Sequence, residues 1–186
     1  MSPSYKSGFT LLELLVAMVI IAIVATIVVP NLRQKPANAD RQEFVRNLNG
    51  LCALAWHQAT VTGKKQKIEF DFDKRTITVQ SASDKKDSKG EPVFEPLKGA
   101  YLKTSFIWPK TIEVKNFIVE GFDEMSKFTM GRTTASWFFI IPGKFAQEVT
   151  INAIDKKDAR GGKARPFGLV ISPFTAQFKE YDTFQK

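Results

Sequence analysis

The apolar segment from Phe9 to Val29 constrains this chain more than any other feature of its sequence. Its 21 residues include only three polar side chains, those of Thr10, Glu13 and Thr26. At about 1.5 Å of rise per residue, a helix of this length is roughly 30 Å long, which matches the hydrocarbon thickness of a bilayer. A carboxylate in hydrocarbon costs about 2.5–3.5 kcal/mol, so Glu13 is a candidate functional residue. The segment is therefore predicted to be a membrane-spanning helix with a functional carboxylate near its start.

The residues before this segment form a processing signal in an unusual order. A secretory signal peptide has its cleavage site after the apolar core, whereas here a short polar head ends in Gly8 and the apolar run follows. Cleavage after Gly8 would leave the hydrophobic helix attached to the mature protein. This arrangement resembles the class III leader of type IV pilins and type II secretion pseudopilins, and the residues that carry the resemblance are Lys6, Gly8, Phe9, Thr10, Leu11, Leu12, Glu13 and Pro30.

The resemblance implies a role for each residue of the motif. A prepilin peptidase would cut after Gly8 and methylate the new amino group, which makes Phe9 the N-methylphenylalanine that begins the mature chain. Glu13 falls on the family's essential glutamate, and Pro30 on the proline that commonly interrupts the helix. Basic residues flank the segment on both sides, so charge alone does not orient it. The resemblance implies that the N-terminus lies in the cytoplasm and the globular domain in the periplasm. The alternative to the whole resemblance is a plain single-pass membrane anchor in which Glu13 is incidental.

Glu13 also has a physical role that agrees with the resemblance. Cleavage creates an ammonium group at Phe9, and opposite charges attract far more strongly in a low dielectric than in water. The two residues lie four apart on a helix, so they can pair within one chain or with the neighbouring helices of a bundle. The second arrangement leads to the hypothesis that Glu13 guides the subunit into a helical filament.

A second, amphipathic helix is predicted after Pro30 and Pro36, which interrupt the helical pattern. Asp40, with a glutamate three residues later, is typical of a helix N-cap. Apolar side chains then recur at helical spacing and predict one stripe for a sheet to pack on. The residues of this stripe are Phe44, Val45, Leu48, Leu51, Cys52, Ala55 and Ala59. The helix is expected to end near Thr62 and Gly63.

The rest of the chain is predicted to be rich in β-structure. Alternating apolar residues on either side of a turn at 73–75 predict a hairpin. Further strands are expected at Ala100–Trp108, Thr111–Val119, Ser136–Ile141, Glu148–Ile154, Phe167–Ser172 and Thr175–Glu180. Turns are predicted at Pro142–Gly143 and Gly161–Gly162. A helical part followed by strands indicates the α+β class. The resemblance makes this a pilin-like fold, in which a long N-terminal helix, kinked near Pro30, packs on antiparallel sheets.

The chain is basic, with a formal charge of +8. Much of this charge lies in two runs, residues 84–90 and 155–165, which also contain acids and glycines. Mixed runs of this kind are typical of solvated loops rather than of phosphate-binding surfaces, so nucleic acid is not an expected partner. The single cysteine, Cys52, lies on the apolar stripe and is interpreted as a small core residue.

No catalytic or cofactor-binding set is predicted. His57 is the only histidine, and a lone histidine without a partner set indicates neither a base nor a metal site. Glu69, Asp71 and Asp73 form an acidic cluster at the hairpin end that has the chemistry for calcium, although a charged turn is the favoured interpretation. We therefore expect no enzymatic activity and no bound metal or cofactor.

The run Ser136–Ile141 contains Trp137, Phe138 and Phe139 and lacks a clean alternation of apolar and polar residues. Such runs are typical of strands that are buried on both faces. The alternative is that one face is left for a neighbouring subunit, because exposed apolar patches mark protein contacts.

Patterns farther along the chain indicate a subtype within the resembled family. The helix around residues 45–59, the hairpin after Gly63, the 139–143 segment and the closing strand at 168–173 resemble the H-type minor pseudopilin and the related FimT-like minor pilins. The segment Pro173–Gln177 departs from the usual family ending, in which a glycine and a basic residue often follow the last strand.

The resemblance implies a structural subunit in four parts. These are a cleaved leader at 1–8, a transmembrane and filament-core helix at 9–29, a kinked region and amphipathic helix at 30–63, and a periplasmic domain at 64–186. The implied function is that of a minor pseudopilin in the tip of a type II secretion pseudopilus. Expected partners are a prepilin peptidase, the major and other minor pseudopilins, an inner-membrane assembly platform and membrane lipid. A type IV minor pilin for pilus assembly, adhesion or DNA uptake is the second interpretation, and a membrane-tethered enzyme or binding protein is the third.

Overall fold

The computed structural model describes residues 10–33, 36–97, 103–126, 134–143, 146–160 and 163–186. The chain divides into two compact units, Met1–Pro36 and Ala37–Lys186. The first contains helix α1, and the second, referred to below as the head, contains helix α2 and ten strands in the described ranges. The predicted cleavage site after Gly8 and the predicted turn at Gly161–Gly162 lie outside the described residues.

Helix α1 spans Leu11–Arg33 and forms the first unit. It covers nearly the whole predicted segment and continues for three residues past Pro30. A proline removes one backbone donor but does not end a helix whose neighbouring hydrogen bonds are intact. Pro30 therefore does not terminate α1, and the kink at this residue stays a prediction.

Helix α2 spans Ala39–Thr62 and buries the predicted stripe. Six of the seven stripe residues are buried, and Val45 packs against them from a half-buried position. The helix ends as predicted, because Gly63 adopts a left-handed conformation (φ 64°) and its N–H donates to the Ala59 carbonyl at 3.0 Å. Its start was predicted wrongly. Asn38 is the N-cap and makes no side-chain capping bond, while Asp40 lies inside the first turn, where its carboxylate accepts the Thr111 hydroxyl at 2.9 Å.

The strands of the head form two antiparallel sheets. In chain order they are β1 Gln66–Asp71, β2 Thr76–Lys86, β3 Pro92–Pro96, β4 Ser105–Ile107, β5 Ile112–Val119, β6 Phe122–Asp123, β7 Ala135–Ile140, β8 Val149–Arg160, β9 Lys163–Ser172 and β10 Gln177–Tyr181. The first sheet has the order β3-β2-β1-β7, with β4 also pairing with β2, and the second has the order β10-β9-β8-β5-β6. The α+β class and the hairpin of β1 and β2 are confirmed.

Several strand boundaries differ from the prediction. The strand expected at Ala100–Trp108 is limited to β4 within the described residues, and β3 and β6 were not predicted. The loop prediction holds for only part of the mixed-charge runs. Residues 84–86 extend β2 and residues 87–90 form a turn, whereas residues 155–160 extend β8 and residues 163–165 begin β9. The pairing of β8 with β9 shifts register between Asp155 and Ala159, which forms a bulge in β8. The buried Asp155 carboxylate stabilises this bulge, because it accepts the backbone N–H groups of Lys157 and Asp158.

One hydrophobic core joins α2 to both sheets. It is rich in aromatic rings: Phe44 of α2 meets Phe106 and Trp108 edge-on, with 6.2 Å between ring centroids in each pair. Phe70 of β1 and Phe117 of β5 approach to 4.8 Å and connect the two sheets. Cys52 is buried in this core, and burial raises the pKa of its thiol far above the usual range, as expected of a small apolar core residue.

Candidate functional site

The first turn of α1 holds the functional carboxylate predicted from the sequence. Thr10 lies immediately before the helix, and its carbonyl accepts the N–H groups of Glu13 at 3.0 Å and Leu14 at 3.2 Å. The Thr10 hydroxyl also accepts the Glu13 N–H, at 3.3 Å. Thr10 is therefore the N-cap of α1, and Glu13 occupies the position at which a carboxylate interacts best with the helix dipole.

Sequence reasoning missed this role of Thr10, although the signal was present. Thr10 and Glu13 stand three residues apart in the Thr-x-x-Glu pattern of a capping box. The candidate cleavage residues Gly8 and Phe9 lie outside the described residues. The pairing of the Phe9 amino group with Glu13 therefore stays a prediction.

Between Leu11 and Thr26 the surface of α1 is apolar on every side apart from Glu13 and Thr26. From Leu11 to Thr26 each described side chain is exposed, including Leu11, Met18 and Ile21 at 85%, 72% and 67%. A helix that is hydrophobic all round requires an apolar environment or other helices around it. The Thr26 hydroxyl is satisfied internally by the Ile23 carbonyl at 2.7 Å, which leaves Glu13 as the one ionisable group between residues 11 and 26.

Among the described residues, no helix combines the length and the apolar content of a membrane span.

A buried cluster of charges lies at the start of α2, and the sequence did not predict it. Arg41 is 4% exposed, and its guanidinium contacts Glu180 at 2.9 Å and Asp158 at 3.6 Å. Arg165 contacts Asp158 at 3.2 Å and Asp182 at 2.5 Å, and the hydrogen bond that it donates to the Asp182 carboxylate is the main reason why the pKa of Arg165 is raised. These residues come from α2, β8, β9 and β10 and the end of the chain, so the cluster connects the helix to the second sheet.

Strand β7 presents one aromatic face to the outside. Its residues alternate: Ser136, Phe138 and Ile140 are buried, whereas Trp137 is 43% exposed and Phe139 is half-buried. The interpretation of a strand buried on both faces is therefore wrong. Ammonium groups cover the outer rings, with Lys65 3.7 Å from the Phe139 centroid and Lys67 4.4 Å from the Trp137 centroid. These contacts with lysines of and beside the neighbouring strand explain why aromatic residues occupy outward positions of β7. The alternation of residues within β7 could not predict them.

The remaining candidate residues form no reactive set. His57 is exposed on α2. The Asp71 carboxylate accepts both the backbone N–H and the ammonium of Lys74 at 2.9 Å, and these interactions lower its pKa. Glu69 is engaged by Lys67 and Gln80. Within the described ranges, no group of three or more His, Cys, Asp or Glu residues is arranged to hold a metal ion.

Comparison with known proteins gives independent information on the N-terminal part. Residues 3–29 match the family model for the prokaryotic N-terminal methylation motif. Over 46 residues the chain is 50% identical to type II secretion system core protein G of Klebsiella pneumoniae and 48% identical to that of Aeromonas hydrophila. Each match covers 25% of this chain, and they cover 33% and 32% of the respective relatives. The chain thus spans about a third of the length of the curated relatives it matches.

The chain also has a similarity among solved structures. The crystal structure of the minor pseudopilin EPSH from the type II secretion system of Vibrio cholerae matches with a TM-score of 0.50 and 12% sequence identity. This match covers 81% of the present chain and 96% of that structure. At this level of identity, the similarity concerns the fold.

Motif and fold together define the class: the chain carries the prokaryotic N-terminal methylation motif and has a pilin-like fold. The predicted resemblance to the pilin and pseudopilin superfamily and the pilin-like α+β fold are both confirmed. These matches are to a methylation motif, to core protein G of the type II secretion system and to a minor pseudopilin, and none of them indicates a catalytic family.

Proposed function

We propose that this chain is a minor pseudopilin of a type II secretion system, a structural subunit in the tip of the periplasmic pseudopilus. The observation that carries the proposal is the joining of two features in one chain. The chain carries the N-terminal methylation motif at residues 3–29 together with a 46-residue similarity to secretion core protein G, and it has a fold similar to that of the minor pseudopilin EpsH. The subunit needs no catalytic site, because its role is to be incorporated into a filament.

The N-terminal motif supports the first steps of this function. A prepilin peptidase cleaves between Gly8 and Phe9 and methylates the Phe9 amino group. The apolar surface of α1 then anchors the subunit in the inner membrane by contact with lipid, with the head in the periplasm. The assembly platform draws the subunit out of the membrane and into a bundle with the major and other minor pseudopilins.

Glu13 supplies the specificity of the assembly step. It is the one ionisable group on an otherwise apolar helix between residues 11 and 26. An unpaired carboxylate in that environment is costly, and an ammonium group from a neighbouring subunit removes the cost. The amino group freed at Phe9 of an adjacent pseudopilin is the partner, so only processed subunits in the correct register satisfy Glu13.

The test uses the full-length chain, co-expressed with the prepilin peptidase and the pseudopilins of its own genome. Mass spectrometry should find a mature chain that begins with N-methylphenylalanine at Phe9. Glu13→Leu should leave cleavage intact and reduce co-purification with the other pseudopilins at least tenfold. Thr26→Val is the matched control, because it removes a polar group from the same helix that is already satisfied within the chain.

Two outcomes would contradict the proposal. Unchanged co-assembly of the Glu13→Leu variant would show that this carboxylate does not guide the subunit into the filament. Co-purification with the subunits of a retractable type IV pilus, and not with secretion pseudopilins, would instead favour a minor pilin for adhesion or DNA uptake.

A further inference from the structure

A groove of about 260 Å³ runs along the outside of the head between α2 and the residues that lead into β4. Its floor is apolar and consists of Leu51, Leu54 and Phe106. Its sides carry two cations, Arg46 from α2 and Lys103 from the segment before β4. The whole groove lies within the head, and neither cation belongs to the buried charge cluster around Arg41.

Gly50 lies in this groove, in the middle of a 24-residue helix. A Cβ atom added at Gly50 would meet no other atom within 4 Å, and the backbone there does not have the positive φ that favours glycine. Within the described part of the chain, the fold therefore gives no reason for a glycine. Because glycine weakens a helix interior, its presence on an exposed helix face indicates that another backbone comes close at this point.

The charges of the groove indicate what comes close. Both Arg46 and Lys103 are exposed, and within the described part of the chain neither side chain has an ion pair or a hydrogen bond. Several other lysines of the head are paired, as Lys156 is with Glu113 at 2.8 Å and Lys85 with Glu95 at 3.0 Å. Two unpaired cations beside an apolar floor select an occupant that has both carboxylates and apolar side chains.

We propose that this groove is the docking site for an acidic, partly apolar segment of a neighbouring pseudopilin, whose backbone passes over Gly50. Arg46 and Lys103 bind its carboxylates, and Leu54 and Phe106 contact its apolar side chains. The inference rests on the proposed function, because it takes the occupant from the same filament. It adds a second contact, in the head, to the contact that Glu13 makes through α1.

The test places the photo-crosslinking residue benzoylphenylalanine at Asn47, which lines the groove, in the full-length chain. The chain is co-expressed with the prepilin peptidase and the pseudopilins of its own genome. Crosslinking should capture one identified pseudopilin through an acidic segment. Arg46→Glu should lower the yield about tenfold, and a lysine in place of the captured carboxylate should restore it. Lys163→Glu is the matched control, since Lys163 is also exposed but lies in β9.

Gly50→Ala separates an effect on docking from an effect on folding, because the inference expects the melting temperature to rise and the crosslinking yield to fall. The added methyl group meets no atom of the chain, so the melting temperature of the purified full-length protein should rise by a few degrees. The same methyl group obstructs the approaching backbone, so the crosslinking yield should fall at least fivefold. A lower melting temperature would show that Gly50 serves its own fold and would overturn the inference.

A second crosslinking position distinguishes the two proposals. Benzoylphenylalanine at Val19, which is 51% exposed on α1, should also capture pseudopilins. Capture of pseudopilins from Val19 but not from Asn47 would overturn the proposal that the groove is a docking site, and would leave the proposed function standing. Capture of pseudopilins from neither position would overturn both. Equal yields from Arg46→Glu and Lys163→Glu would show that charge does not select the occupant.

Discussion

The two helices of this chain have almost the same length, 23 and 24 residues, and depend on different surroundings. Helix α2 packs one apolar stripe against two sheets and keeps its polar side outside. The described side chains of α1 are exposed on every side and nearly all apolar. Because helices owe most of their stability to the packing of an apolar face, α2 is stabilised by its own chain and α1 by what surrounds it. Substitutions in the head should therefore change folding, and substitutions in α1 should change processing and assembly.

The largest expected effect comes from the aromatic core beneath α2. Phe44→Ala removes a fully buried ring that meets Phe106 and Trp108 edge-on, and should lower the free energy of unfolding by about 3–5 kcal/mol. Leu15→Ala removes an apolar side chain that is 56% exposed on α1 and should change it by less than about 0.5 kcal/mol. Thermal unfolding of both full-length variants measures the difference. Similar losses in the free energy of unfolding for the two variants would contradict the conclusion that only α2 is stabilised by its own chain.

The buried charge cluster should give the next largest effect. Arg41→Met keeps an apolar stem but leaves Glu180 and Asp158 without this cation, and should lower the free energy of unfolding by about 3 kcal/mol. Glu180→Gln in the same chain should recover part of that loss, because one of the carboxylates is then neutral. Denaturant unfolding of the single and double variants provides the measurement. No recovery would mean that Arg41 acts through packing on Phe167, whose ring centroid lies 5.8 Å from its guanidinium carbon.

A moderate effect is expected where the end of the chain crosses β9. A Cβ atom at Gly168 would lie 2.6 Å from the Thr183 carbonyl oxygen and 2.8 Å from the Gln185 side chain. Gly168→Ala should therefore displace residues 183–185 and cost about 1–3 kcal/mol. The Gln185 N–H, which donates to Asn152 Oδ1 at 2.8 Å, should exchange faster with solvent. Unchanged hydrogen exchange at Gln185 would show that the segment tolerates the methyl group.

The smallest effect concerns pH and the hairpin of β1 and β2. Lys74 holds the pKa of Asp71 below its usual value, so the ionised carboxylate stabilises the folded state. That contribution is present above the unfolded pKa of about 3.9 and disappears as the pH falls through the lower folded value. Asp71→Asn should cost less than about 1 kcal/mol at neutral pH and almost nothing once the pH lies below the lowered pKa of Asp71. Unfolding curves from pH 7 to pH 2 measure the difference, and a loss that persists at low pH would contradict the assignment.

The features predicted well are those that neighbouring residues specify. The α1 segment, the stripe of α2, the Gly63 end and the first hairpin all follow from periodicity or from a single turn residue. Long-range contacts explain the failures. Residues 155–160 have the composition of a loop, but Asp155 holds a bulge and Asp158 meets Arg41 and Arg165, so the run continues as strand. The N-cap was assigned to Asp40, whose carboxylate instead binds Thr111, 71 residues away.

The candidate site was predictable in one part and not in the other. Glu13 was identified because a carboxylate in an apolar run is conspicuous in any sequence, and Thr10 could have been identified from the capping-box spacing. The groove could not, because Gly50, Arg46 and Lys103 meet only when α2 lies against the segment before β4. The outward aromatic face of β7 also depends on lysines supplied by and beside another strand.

The sequence by itself determined the apolar α1 helix with its single carboxylate, the methylation motif that precedes it, and the amphipathic helix that follows. These features are local, since composition and spacing along a few turns decide them. Only the tertiary structure decided which charges are buried, which face of β7 is exposed and where a groove with two exposed cations opens. The physical reason is that burial and charge pairing are properties of residues brought together from distant parts of the chain, and no short segment contains that information.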